Sequence, residues 1–160
     1  ASLAALYGRP YPQEGMELAW KKLLFDHFHD IMPGSGIAVN YLDAKRNLET
    51  VDRAANDVTY ASMREIAAHV NTEGEGVPVL LFNSLSWPRT EVTELEAQLP
   101  EPARQIQVVD SHGKPAETQL LSIDSETHRA KFLLLSATPS LGYQTYFVRA
   151  SGTPQRSTQC

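Results

Sequence analysis

Asn71-Thr72-Glu73-Gly74-Glu75-Gly76 is the stretch on which this chain divides. Its glycines and charges suit a helix stop followed by a short linker. The hydrophobic pattern changes across it. From Ala1 to about Val70 the apolar residues recur at helical spacing, whereas from Val77 onward they alternate or come in short runs between Gly, Pro, Asn and Asp. The reading is an α+β chain. A three-helix bundle covers residues 1–73, an antiparallel β-rich domain resembling part of a sandwich covers 77–150, and a tail over 151–160 has nothing apolar to bury and is expected to be disordered.

Toward the N-terminus, Ile37, Tyr41, Ala44, Leu48, Val51, Ala55 and Val58 alternate steps of four and three, and Ala61 or Ser62, Ile66 and Val70 extend the stripe. That spacing predicts one long helix. Pro33-Gly34-Ser35-Gly36 separates it from an earlier helix starting at Pro12, where Leu18, Ala19, Lys22, Leu23, Phe25 and Phe28 recur at three- and four-residue steps. Ser2–Tyr7 supplies a short third member of an antiparallel bundle. Trp20, Tyr41 and Tyr60 sit at helical spacings and are read as bundle core. Toward the C-terminus, strands are predicted at Val77–Asn83, Glu91–Leu95, Ile106–Asp110, Thr118–Ile123, Arg129–Ser136 and Tyr143–Arg149. Asp110-Ser111-His112-Gly113 is read as a hairpin turn, and Trp87, followed by Pro88, as packing a loop.

A net charge of -5, with the 14 basic residues interleaved among acids, argues against nucleic acid as a partner. No apolar run approaches the roughly 20 residues of a membrane span. Ala1–Tyr7 is too short and uncharged for a signal peptide, so a cytoplasmic location is expected. The single cysteine, Cys160, allows neither a disulfide framework nor a cysteine-rich metal site within the chain.

The densest group of reactive side chains is Asp26-His27-Phe28-His29-Asp30, where the Pro12 helix runs into the Pro33 turn. On a helix, His27 and His29 point about 200° apart and cannot share an ion. His29 and Asp30, nearest the turn, are the better candidates, since a chain leaving a helix can present both into a cleft. The plainer reading is that acids and histidines are common at helix ends, where a histidine also suits the dipole. Only one or two ligands are visible, whereas an ordinary zinc site needs three or four. Ser84, Ser86, His112 and His128 are scattered without a nucleophile-elbow pattern and are assigned no catalysis.

Ala19-Trp20-Lys21-Lys22-Leu23-Leu24 leading to Phe28-His29-Asp30-Ile31-Met32-Pro33-Gly34-Ser35 resembles the middle-domain signature of the glycoside hydrolase family 38 α-mannosidases. The resemblance continues through Tyr41-Leu42-Asp43-Ala44, Phe82-Asn83-Ser84-Leu85-Ser86-Trp87-Pro88-Arg89, Val109-Asp110-Ser111-His112-Gly113 and Pro139-Ser140-Leu141-Gly142-Tyr143, covering roughly Leu6 to Val148. It implies a zinc-dependent retaining exo-mannosidase. An N-terminal α/β barrel, absent from this sequence, would supply the Asp nucleophile, the acid/base Asp and three zinc ligands. By the same resemblance His29 would be the remaining zinc ligand, and Asp30 the carboxylate that hydrogen-bonds the mannose. The chain would then complete an active site and be inactive alone, with an α-mannoside and the barrel of the same parent protein as partners. Two departures stand out: Asp26-His27 replaces the family's Asn-Gln pair, and Gly36 replaces a small hydroxyl residue that would cap the long helix. The alternative is a non-catalytic carbohydrate-binding or protein-interaction module.

Overall fold

The computed structural model describes residues 1–152, so the expectations for Cys160 and for most of the tail fall outside the described residues. Of the two described tail residues, Ser151 pairs with Gln105 as the end of a strand rather than being disordered. The chain forms two units, Ala1–Val70 and Asn71 onward.

In the first unit, α1 (Ser2–Ala5) is a single turn, α2 spans Gln13–Asp26 and α3 spans Ala38–Ala67. Pro12 is the residue before α2, where its fixed φ and missing N–H cost the helix nothing. α3 packs on both α2 and α1, and the buried positions of the two longer helices are small or polar: Ala19 and Asp26 in α2, Ala44 and Ser62 in α3. Most of the predicted stripe of α3 faces inward, with Tyr41, Ala44, Val51, Val58, Ser62 and Ile66 buried or partly buried, but two positions shift by one residue. Asn47 and Ala54 are partly buried, whereas Leu48 and Ala55 are exposed. The aromatics differ from expectation too. Trp20 and Tyr60 are 54% and 66% exposed, and of the three only Tyr41 is partly buried. Two helices and one turn leave part of each helix surface uncovered, so periodicity marked apolar residues without marking which of them meet a partner. At the far end of α3, the Tyr7 ring stacks on His69 with centroids 4.6 Å apart.

In the second unit, β1 (Val77–Asn83), β2 (Arg89–Gln98), β3 (Gln105–Asp110), β4 (Thr118–Asp124), β5 (Arg129–Thr138) and β6 (Gly142–Ser151) form two antiparallel sheets, ordered β1-β6-β3 and β2-β5-β4. One core lies between them. Ile106, Val108, Tyr146 and Val148 from one sheet meet Ala97, Ala130, Phe132 and Leu134 from the other. The alternation along β5 is strict, with Ala130, Phe132, Leu134, Ser136 and Thr138 buried between more exposed neighbours, as a strand with one wet face requires. β2 is longer than its apolar signal because it pairs with β5 over its whole length, and its Glu91, Glu94, Glu96 and Gln98 are exposed.

The turn at Asp110–Gly113 forms, but it does not join β3 to β4 as a hairpin. Asp110 Oδ1 accepts from the His112 and Lys114 amides at 2.8 and 2.9 Å, and Gly113 takes φ +79. The returning chain makes only a bridge at Val109–Pro115 before β4 joins the other sheet.

The opening stretch is more than a spacer. Gly74 lies on the Phe147 ring, Gly76 adopts φ +105 against the Val148 carbonyl, and the Glu75 carbonyl accepts from Arg149 Nε at 2.9 Å. The stretch is thereby docked along β6. The α+β reading holds: a helical part followed by antiparallel sheets.

Candidate functional site

The Asp26–Asp30 cluster straddles the end of α2. Asp26 is the last helical residue and His27 the C-cap, and from there the chain descends in overlapping turns: Phe28 N–H to the Phe25 carbonyl, Ile31 N–H to that of Phe28, and Gly34 N–H to that of Ile31. Gly34 at φ +82 and Gly36 close the descent. The Gly36 amide donates to the Asp30 carbonyl at 2.9 Å and to Tyr41 Oη at 3.0 Å, and Tyr41 Oη donates to the same carbonyl at 3.1 Å. Ser35 Oγ reaches the His29 carbonyl at 3.5 Å. Gly36 is not itself a helix cap, since the N-cap of α3 falls on Ile37.

The main chain of His29 and Asp30 is thus tied from two sides while their side chains are left outside. The imidazole is 74% and the carboxylate 50% exposed, with His29 Nε2 3.6 Å from Asp30 Oδ1. Among the described residues each is the other's only polar side-chain partner, and the Phe28 ring lies 4.0 Å from the imidazole, centroid to centroid. The pair is displayed side by side, available to something outside this unit.

The two ends of the cluster separate. Asp26 turns inward, 5% exposed, with Oδ1 accepting from Asn47 Nδ2 at 3.3 Å, while Lys22 Nζ donates to Asn47 Oδ1 at 2.9 Å. Its Oδ2 has no hydrogen-bond partner among the described residues. Asp26 is therefore a link between α2 and α3, and His27 is exposed without joining His29. Asn47 escaped the sequence reading because Leu48, one residue on, fits an apolar stripe better. Its spacing of three from Ala44 and four from Val51 was the available signal.

Imidazole and carboxylate are both zinc donors, so His29 and Asp30 suit a metal by chemistry. No group of three or more His, Cys, Asp or Glu placed to hold an ion exists among the described residues. A closed site here would need donors from elsewhere.

Residues 1–66 match the family model of the alpha mannosidase middle domain. The chain is 33% identical over 87 residues to Alpha-mannosidase 2C1 of Mus musculus, an overlap of 53% of this chain and 8% of that protein. It is 33% identical over 82 residues to Lysosomal alpha-mannosidase of Dictyostelium discoideum, covering 51% of this chain and 7% of that protein. Alpha-mannosidase 2C1 of Homo sapiens is 31% identical over 87 residues, 53% of this chain and 8% of that protein. The family-model match takes in nearly all of the helical unit, Ala1–Val70. The chain is thus similar to α-mannosidases over its helical unit, and it spans 7% to 8% of the length of these relatives.

Proposed function

We propose that this chain completes the active site of a longer, zinc-dependent retaining α-mannosidase that removes terminal α-linked mannose. His29 serves as one zinc ligand and Asp30 as a carboxylate that hydrogen-bonds the sugar. The observation that supports this reading is the pair itself: an imidazole and a carboxylate, side by side and accessible, on a main chain held by Gly36 and Tyr41. With no further donors grouped at the spot among the described residues, the other ligands, the nucleophile and the general acid are assigned to an N-terminal catalytic barrel of the same protein. When bound, zinc supplies Lewis-acid binding of vicinal sugar hydroxyls. This chain's own residues present an imidazole and a carboxylate on a backbone held by hydrogen bonds from Gly36 and Tyr41.

The reading includes no nucleic-acid or membrane partner. Net charge is -5, and no helix among the described residues is long and apolar enough to cross a membrane. The cytoplasm is the proposed compartment, because one cysteine in 160 residues leaves no internal disulfide to require an oxidising one. Cell fractionation tests it.

The test of the site uses the intact enzyme. His29→Ala should weaken zinc binding about a hundredfold in a chelator competition, in line with the loss of a metal ligand. Asp30→Asn should retain zinc while kcat/KM falls about a hundredfold. Zinc affinity within threefold of wild type in the His29 variant would remove the metal role. The 160-residue chain alone should neither hydrolyse an aryl α-mannoside nor take up zinc tightly, and turnover by it would overturn the division of labour.

A further inference from the structure

We infer that Tyr41 is a positioning residue for the His29–Asp30 pair, an inference that rests on the function proposed above. The phenol Oη, the Gly36 amide and the Asp30 carbonyl form a triangle with sides of 2.9, 3.0 and 3.1 Å. A phenol both donates and accepts, and here it does both, donating to Asp30 and accepting from Gly36. Phenylalanine has the same shape and can do neither.

Two further facts make this a clamp rather than an incidental contact. Tyr41 lies in the first turn of α3, so its hydroxyl ties the descending end of α2 to a helix 30 residues long. Gly36 fits closely into the closure: a Cβ there would stand 3.0 Å from the Asp30 carbonyl oxygen, close enough to press on that hydrogen bond. The His29 side chain is exposed apart from its contact with the Phe28 ring, and the Asp30 carboxylate is half exposed, so packing does little to hold either. Their placement therefore depends on where the 29–30 backbone sits, and the clamp acts at an oxygen two bonds from the Asp30 Cα. Outer-shell hydrogen bonds of this kind are worth about 10- to 100-fold in metal affinity. Small misplacements of reacting groups lower turnover comparably.

The test compares Tyr41→Phe with wild type in the intact enzyme, with Tyr60→Phe as a control on the exposed part of the same helix. The expected result for Tyr41→Phe is zinc affinity about tenfold weaker by chelator competition and kcat about tenfold lower, with Tm within about 3 °C of wild type. Tyr60→Phe should match wild type in all three. A lower Tm with zinc affinity and kcat within twofold would mean a merely structural tyrosine and would overturn the inference. His29→Ala, run alongside, separates the two claims: if it leaves zinc affinity unchanged, the metal reading fails. Exchange of the Gly36 amide in the 160-residue chain then decides the clamp alone. Exchange about fivefold faster in Tyr41→Phe, the loss of about one net hydrogen bond, supports it, and an unchanged rate overturns it.

Discussion

Replacing Gly74 by alanine adds one methyl group to a surface stretch, and it should nevertheless cost about 2 kcal/mol. The added Cβ would sit 2.5 Å from Cε1, 2.7 Å from Cζ and 3.0 Å from Cδ1 of Phe147, against an unstrained carbon–carbon separation of roughly 3.5–4.0 Å. An overlap of about 1 Å with three ring atoms cannot be absorbed by small adjustments. Either the linker lifts off β6 or the ring moves. Phe147 is a buried side chain, 6% exposed, and overpacking or partial expulsion of such a group costs about 1–3 kcal/mol. For a unit of this size that corresponds to roughly 8–16 °C in Tm. Urea unfolding followed by far-ultraviolet circular dichroism measures it. The decisive arm is a double-mutant cycle: in a Phe147→Ala background the ring is gone, and Gly74→Ala should cost less than about 0.5 kcal/mol. A cost that is equal in both backgrounds, or negligible in the first, would refute the docking of this stretch on β6.

Two further outcomes follow from side chains whose partners are all visible. Asn83, 3% exposed, donates from Nδ2 to the Trp87 and Pro139 carbonyls at 2.8 and 2.9 Å, and its Oδ1 accepts from the Leu85 amide at 3.0 Å. Asn83→Ala should therefore destabilise by about 3 kcal/mol, and Asn83→Asp by at least as much, because a carboxylate oxygen would face two carbonyls. A thermal shift placing the aspartate variant near wild type would contradict the network. Asp124 is held below its ordinary carboxyl value of 3.8 by the Thr127 hydroxyl first, then by the Thr127 and Glu126 amides. Because the folded value is the depressed one, its contribution is present above that ordinary value and is lost as pH falls through the folded one. Acid titration should show Asp124→Asn losing stability less steeply than wild type below about pH 4. A parallel pair of curves would rule the turn out as a source of acid sensitivity.

The β-rich unit was largely legible residue by residue because burial there follows period two. Val77–Asn83 was read with its observed bounds, and strands at all six positions form. What alternation could not reveal was which strands share a sheet. Five strands read in succession after β1 divide between two sheets, and only β4 and β5 are consecutive neighbours in one of them. The Asp110–Gly113 turn carries the local chemistry of a hairpin in its Asx bonds and left-handed glycine, yet the chain crosses over after it. A turn controls a reversal of four residues, not the sheet that receives the next strand.

The helical unit was legible in its elements and less so in its faces. Trp20 and Tyr60 satisfy a helical period and are exposed, while Asp26 and Asn47, polar and off the stripe, lie between the helices. Periodicity reports which residues share a face, and only the neighbouring helix decides which face is covered.

The sequence by itself determined the division at Asn71–Gly76, the helical and strand characters on either side, and His29–Asp30 as the pair to watch at a helix end. Each of these is local, set by spacing, glycine, proline and charge within a few residues. Only the tertiary structure decided that Gly74 must be glycine because of a ring 73 residues away, and that Asp26 and Asp30 part company, one facing inward and one outward. It also decided that Tyr41 holds the Asp30 carbonyl across 11 residues of chain. Those facts depend on which surfaces meet, and spacing along the chain does not state that.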